Sequence, residues 1–271
     1  MPKTSFPTWF LYRTVPGRLM LSVLTRPLIS RGAGWFLSSP LSRPLIKPYI
    51  RLYGLDMSLC EDTDFPTFND CFTRRYRAEV RPLCPEEDAL MSPCDGALSA
   101  YQIDDGLVLP VKQSFYRIAD LVRDDALAEE FRDGICLVFR LQVTDLHRYL
   151  FIDDGRILSS RKIPGLLHTV RPIALREIPV FTENAREVTV METGHLGRLV
   201  QVEVGAMMVG RIENNPVQSF VRGQEKGRFL FGGSTIILLL KKNSIKIKPG
   251  FFTRTEKGLE TPVIAGEKLS I

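Results

Sequence analysis

Histidine is scarce in this chain: the 271 residues contain three, His147, His168 and His195. A general base working near neutral pH is therefore drawn from a short list. Acidic residues are missing from positions 1–55, which carry eight basic ones: Lys3, Arg13, Arg18, Arg26, Arg31, Arg43, Lys47 and Arg51. The remainder holds 28 basic against 31 acidic residues, so the net charge of +5 belongs to the N-terminus and nucleic-acid binding by the whole chain is not implied. Long apolar runs are missing as well. None reaches the roughly 18 residues that a spanning helix needs, because arginine interrupts each candidate. No clean apolar stretch precedes a small-residue cleavage site, so no signal peptide is expected. The five cysteines, Cys60, Cys71, Cys84, Cys94 and Cys136, are odd in number and include no Cys-x-x-Cys pair. Reduced thiols in a cytoplasmic setting are expected, rather than a disulfide framework or a metal site. Cys94, beside Asp95, reads as a small buried filler ahead of a reactive thiol. A Walker loop and a dinucleotide fingerprint are both absent.

What the N-terminus does have is aromatic and aliphatic side chains interleaved with those cations: Phe6, Trp9, Phe10, Leu11, Leu19, Met20, Trp35 and Phe36 among them. Over residues 18–28 a helical projection puts Arg18, Ser22 and Arg26 on one side and Leu21, Leu24 and Leu28 on the other. Two readings follow, and they are compatible: helices lying on an anionic membrane surface, or an arm packed on its own domain.

Prolines 16, 27, 40, 44 and 48 divide residues 1–53 into short helices. Residues 66–78 predict a further helix with Arg74, Arg75 and Arg77 at its end. From about residue 88 the pattern turns to short strands. Asp95-Gly96 and Asp105-Gly106 read as turns. Residues 116–131 predict one helical interlude, and Ile135 to Val143 a strand. Glu187 to Met191 and Leu199 to Met208 alternate as a hairpin around Gly194–Gly197, which leaves His195 on a hairpin surface. Residues 228–241 combine a Gly-Ser turn with a very apolar strand closed by Lys241-Lys242, which suits an edge or an exposed end. The expected fold is α+β: a helical, basic, membrane-associating region over 1–80 on a β-rich catalytic domain over 88–271. With 44% hydrophobic residues the chain is long enough to bury a full core.

The chemically pointed stretch is Phe229-Leu230-Phe231-Gly232-Gly233-Ser234-Thr235, running into Ile236-Ile237-Leu238-Leu239-Leu240. A hydroxyl directly after a glycine can attack the preceding carbonyl. The N→O acyl shift makes an ester of the Gly233–Ser234 bond, and β-elimination with hydrolysis leaves a pyruvoyl group at residue 234. Gly-Gly and Gly-Ser are equally good turn dipeptides, so a plain hairpin stands beside this reading.

Five stretches decide between the two. They are Pro66-Thr67-Phe68-Asn69-Asp70-Cys71-Phe72-Thr73-Arg74-Arg75, Ser92-Pro93-Cys94-Asp95-Gly96, Asp145-Leu146-His147-Arg148-Tyr149, Gln201 through Gly210, and Gly233-Ser234-Thr235. In this order and spacing the chain resembles the phosphatidylserine decarboxylase family over most of its length. Two departures stand out. Gly232 replaces a usual leucine before the Gly-Ser step, and Leu150 occupies the second position of a His-x-x-His pair that begins at His147.

The resemblance implies decarboxylation of phosphatidylserine to phosphatidylethanolamine, with the pyruvoyl group from Ser234 condensing with the substrate amine and taking up the electrons as carbon dioxide leaves. It implies His147 as the acid and Asp95 as the carboxylate that orients a histidine. With the second histidine missing, His168 is the candidate substitute. Arg74, Arg75 and Arg148 are the cations available for a substrate phosphate, and the sequence does not choose among them. The expected partners are an anionic phospholipid membrane, the lipid substrate, the two chains cut from one precursor, and a second copy in a homodimer. The expected location is peripheral, on the cytoplasmic face. Two other functions fit the same residues: a pyruvoyl-dependent decarboxylase of another amino-acid headgroup, and a membrane-binding relative that does not process.

Overall fold

The structure is a computed structural model, and it describes residues 6–104, 108–111, 114–170, 174, 178–206, 211–231 and 234–271. The chain opens with helices: α1 (Phe6–Arg13), α2 (Val15–Leu24), α3 (Pro27–Leu37), α4 (Ile46–Tyr53) and the short α5 (Phe68–Phe72). Proline starts α3, and Gly54 ends α4 in the left-handed region at φ 60°, where a residue without a Cβ is at ease. The division expected at Pro27 is present: α2 stops at Leu24, and Pro27 begins α3 after a turn. Leu21 is buried and Leu24 half-buried while Arg18, Ser22 and Arg26 are exposed; the side chain of Leu28, the third member of the apolar side, lies outside what is described.

The helix expected over 66–78 is shorter than the pattern promised. Thr67 and Asp70 form a reciprocal capping box that starts α5, but the helix ends at Phe72. The chain then runs extended, and Tyr76 bridges to Cys60. The arginines at 74, 75 and 77 therefore follow α5 rather than end it. The interlude at 116–131 splits in two, Ile118–Val122 and Asp125–Glu130, because Arg123 turns left-handed at φ 49° and Asp124 caps the second helix.

Strands follow: β1 (Gly96–Gln102), β2 (Val108–Val111), β3 (Ser114–Arg117), β4 (Ile135–Leu141), β5 (Arg148–Leu150), β6 (Gly155–Ile163), β7 (Arg186–Thr193), β8 (Gly197–Val204), β9 (Ile212–Asn214), β10 (Ser219–Phe220), β11 (Glu225–Phe229), β12 (Ser234–Leu240) and β13 (Thr261–Val263). Eight of them form an antiparallel sheet in the order β10-β6-β7-β8-β12-β4-β1-β13, and a small sheet β5-β11-β9 stands apart. The hairpin expected around Gly194–Gly197 is present as β7 and β8. Asp105 and Gly106, a predicted turn, lie outside the described residues, as do residues 207 and 208 at the end of the second hairpin strand.

β12 is central, flanked by β8 and β4, and all seven of its residues are buried. A strand covered on both faces reads as a continuous apolar run, which is why its alternation was invisible in sequence. Lys241 and Lys242 mark its end and not a sheet edge. One face of the sheet packs Val188, Val190, Val200, Val202, Val204, Ile237 and Leu239 together. The other face packs Leu137, Phe139, Leu199, Ile236 and Leu238 against Tyr149 and Phe229 of the small sheet. A third apolar cluster joins the helical arm to the body through Leu37, Ile46, Tyr49, Phe68, Phe72 and Leu230.

Candidate active site

Ser234 is the first residue of β12 and pairs with Leu141, the last residue of β4. Side chains alternate along a strand, so Ser234 shares its face with Ile236 and Leu238, toward the small sheet. Its hydroxyl is buried and has no hydrogen-bond partner among the described residues. Gly232 and Gly233 lie outside the described residues. The strand before them, β11, pairs with β5 and β9, whereas β12 pairs with β8 and β4. β11 and β12 therefore belong to different sheets and do not pair as a hairpin.

His147 sits where the chain leaves β4 and enters β5. It is fully buried. Its Nδ1 lies 2.9 Å from the Asp145 carbonyl, so Nδ1 carries the proton and Nε2 keeps a free lone pair. Nε2 has no partner. Phe72 lies against the imidazole at 3.9 Å between ring centroids, and Phe72 in turn meets Phe231 edge-on at 5.0 Å. The backbone N–H of Phe231 donates to Asn69 Oδ1, and that of Phe229 to the His147 carbonyl. The Thr67–Arg75 stretch thus grips both the histidine and the chain that leads into Ser234. Burial depresses the His147 pKa to about 3, against the pull of the Asp145 carbonyl, and the nearby Arg74 cation adds to the depression. The imidazole is neutral at physiological pH.

Asp95 does not hold a histidine here. Its two oxygens take a bidentate pair of bonds from Arg81 at 2.9 and 2.8 Å, and Oδ1 also accepts from the Ala265 N–H. Three segments meet at this carboxylate: the chain before β1, the Arg81 turn and the loop after β13. Asp145 is a close electrostatic neighbour. Burial raises its pKa, the Gln142 N–H opposes that, and the Asp95 charge adds to the rise.

His168 is placed elsewhere. Its main chain is tied to Asn184, which also donates to the Gly205 carbonyl at the end of β8. Its ring lies 6.3 Å from that of Tyr12, and Nε2 is 3.6 Å from Glu183. Burial lowers its pKa, and no hydrogen bond joins it to Ser234, His147 or Asp95 among the described residues. His195, at the β7–β8 turn, pairs with Asp153 at 2.9 Å, as a hairpin-surface histidine would. Leu150 pairs with Glu225 and faces away from Tyr149 across β5, on the side of Arg148. Its side chain is not in the layer that holds Ser234.

The three arginines differ in surroundings. Arg75 and Arg148 both bind Glu225, and Arg148 also donates to the Thr73 carbonyl. Arg74 is buried beside Tyr49 and Tyr76 and donates to the Thr144 carbonyl at 2.7 Å. Cys94 is fully buried with its thiol pKa raised well above the ordinary value by burial, as a filler would be. All five cysteines are free and buried, and no metal-holding cluster occurs among the described residues.

Ser234 and His147 are thus a nucleophile type and a base type, both buried and, among the described residues, both without a hydrogen-bond partner. The profile of the phosphatidylserine decarboxylase family matches residues 68–269, which includes every residue of this site. The chain belongs to the phosphatidylserine decarboxylase family. It is 41% identical over 261 residues to phosphatidylserine decarboxylase proenzyme 2 of Clostridium acetobutylicum, covering 96% of this chain and 90% of that one. It is 38% identical over 269 residues to the phosphatidylserine decarboxylase proenzyme of Desulfitobacterium hafniense, covering 97% and 90%. The Ruminiclostridium cellulolyticum proenzyme is 39% identical over 266 residues, covering 96% and 89%. Sequence reasoning assigned no role to Phe72, Asn69 and Asp145, though all three stand inside family motifs. Arg81 lies outside every motif, and only the fold brings it to Asp95.

Proposed function

We propose that this chain is a proenzyme that cleaves itself between Gly233 and Ser234 and then decarboxylates phosphatidylserine to phosphatidylethanolamine. One observation carries the reading: Ser234 Oγ and His147 Nε2 are both buried and, among the described residues, both lack a hydrogen-bond partner.

The chain's own residues perform the cleavage. Neutral His147, its Nδ1–H spent on the Asp145 carbonyl, takes the Ser234 hydroxyl proton at Nε2 as the oxygen attacks the Gly233 carbonyl. The amide C–N bond breaks and an ester bond forms. Removal of the Ser234 Cα proton then expels Gly233 as a carboxylate, and water replaces the residue 234 nitrogen, which leaves as ammonia. The residues fit a pyruvoyl group, because a small side chain with no hydrogen bond to lose begins the buried strand. Once formed, that group supplies a ketone for the substrate amine and an adjacent amide carbonyl that accepts electrons as carbon dioxide departs. His147 is the base in preference to His168, because His147 is pinned to Phe229, five residues before Ser234.

The substrate is a lipid, and residues 1–80 form the region that meets it, with 88–271 as the catalytic part. Leu19, Trp35 and Leu52 are exposed by 73%, 73% and 76%, among exposed Arg18, Lys47 and Arg51. No helix among the described residues is long and apolar enough to cross a membrane. Such a surface lies on an anionic bilayer, here its cytoplasmic face, by apolar burial and by charge.

The test uses phosphatidylserine liposomes. The purified chain should release carbon dioxide and form phosphatidylethanolamine, and Ser234→Ala should bind the liposomes without doing either. Decarboxylation by Ser234→Ala would overturn the reading.

A further inference from the structure

Beside the site, the inner face of the large sheet carries polar side chains where an apolar core is the norm. The register aligns them in two rows across the strands. Lys162 of β6 lies opposite Glu187 of β7, which lies opposite Glu203 of β8, which lies opposite Ile236 of β12. Ser160, Thr189, Gln201 and Leu238 form the parallel row. Ser160 and Lys162 are exposed, and the members on β7 and β8 are buried. The first row ends at Ile236, whose neighbour on the same face is Ser234, diagonal to Glu203.

The small sheet caps these rows with more polar groups. Lys226 of β11 is buried and donates to Glu203 Oε1 at 2.8 Å and to Asn214 Oδ1 at 3.1 Å. Tyr149 donates to the same Asn214 oxygen at 3.0 Å, and Gln201 donates to Glu203 Oε1 at 2.8 Å. Gly227 makes this possible: a Cβ there would come within 2.4 Å of the Glu213 carbonyl and 2.8 Å of the Tyr149 hydroxyl. At the outer end Ser160 donates to Glu187 Oε1 at 2.9 Å, and Lys162 stands 3.8 Å from Glu187 Oε2.

Three buried atoms along the rows have no hydrogen-bond partner among the described residues: Glu187 Oε2, Thr189 Oγ1 and Gln201 Oε1. Unsatisfied polar atoms on adjacent strands are where buried water sits. None of these residues is used in the chemistry described above.

Decarboxylation consumes a proton. The bond from the substrate Cα to its carboxylate breaks, the electron pair stays on Cα, carbon dioxide leaves, and one proton must arrive at Cα in each turnover. Bulk solvent is its source, and the reacting residue is buried. We propose that the two polar rows, with water bridging Glu187, Thr189 and Gln201, form a relay that carries solvent protons from the Ser160–Lys162 edge to the buried face of β12 beside residue 234. The relay rests on the decarboxylase reading. Its members position water and pass protons, and they do not touch the substrate.

Two measurements test it. The first needs no activity: a high-resolution crystal structure of the Ser234→Ala proenzyme. Ordered water within hydrogen-bond distance of Thr189 Oγ1, Gln201 Oε1 and Glu187 Oε2 is expected. A dry layer, or these groups rotated onto one another, would overturn the relay. The second compares processed wild type with processed Glu187→Gln, cleavage being verified by mass. The expected result is a kcat lower by on the order of 10-fold to 100-fold with KM retained. The solvent deuterium isotope effect on kcat should rise, and small weak acids such as imidazolium should restore the rate. A purely structural role would give neither the isotope effect nor the rescue. Unchanged kcat, or a loss without rescue, sinks the proposal. Should Glu187→Gln fail to fold, Ser160→Ala at the exposed mouth carries the same readouts with the same meaning. Wild type that cleaves but never decarboxylates would instead remove the reading on which the relay rests.

Discussion

The backbone N–H of Phe229 donates to the His147 carbonyl, at 2.8 Å, five residues before Ser234. The proposed base is thus hydrogen-bonded to the segment that leads into its own nucleophile. Phe72 completes the clamp, fully buried between the His147 and Phe231 rings. Phe72→Ala should destabilise the uncleaved Ser234→Ala chain by about 3–5 kcal/mol in urea unfolding. With Ser234 present, the same substitution should lengthen the cleavage half-time. A variant that is destabilised yet cleaves at the wild-type rate would show that the clamp has no part in alignment.

Acid should weaken the fold through His147. The folded imidazole takes its proton near pH 3, whereas the unfolded one takes it near the ordinary 6.5. Between those values the unfolded chain holds one more proton, so stability falls as pH drops through that window, by up to about 1.4 kcal/mol per pH unit, and is unaffected above it. Comparing Ser234→Ala with Ser234→Ala/His147→Gln at pH 7 and pH 5 isolates the effect. The histidine-free protein should lose less stability on acidification; equal losses would mean that His147 is not buried neutral.

Lys226 and Glu203 are 1% and 0% exposed, which makes each costly without the other. Lys226→Met should destabilise the uncleaved chain by about 3–5 kcal/mol, because it strands a buried carboxylate. Lys226→Met/Glu203→Gln should recover much of that loss. A double variant as unstable as the sum of its singles would argue that the pair is not coupled.

Asp95 acts on its surroundings through Arg81 and the Ala265 N–H. Asp95→Asn and Arg81→Ala should therefore slow self-cleavage together, and the double variant should be no slower than the worse single one. Additive losses in cleavage half-time would mean that Asp95 has a separate role at a histidine.

Much of this arrangement was legible in residue order. The Ser234 strand and the β7–β8 hairpin follow from local pattern, and His147 stands in a motif. What sequence missed is non-local. The Gly-Ser step looks like a hairpin turn until the partners of β11 and β12 are known, since both flanking runs are apolar. The helix over 66–78 looked continuous because three arginines suit a helix end, but burial of Arg74 against the Thr144 carbonyl draws the chain out after Phe72. Glu187 and Glu203 alternate with valines as a solvent face would, and only the small sheet lying over them makes that face an interior. Arg81 reaches Asp95 across 14 positions, a contact that no short motif encodes.

The most direct test of self-cleavage at Ser234 is the intact mass of the purified chain under denaturing conditions. The expected result is two pieces of about 26 and about 4 kDa, in proportion to 233 and 38 of 271 residues in a 30.7 kDa chain, the smaller lacking a free amine. A single 30.7 kDa species that persists in the presence of anionic liposomes would contradict it.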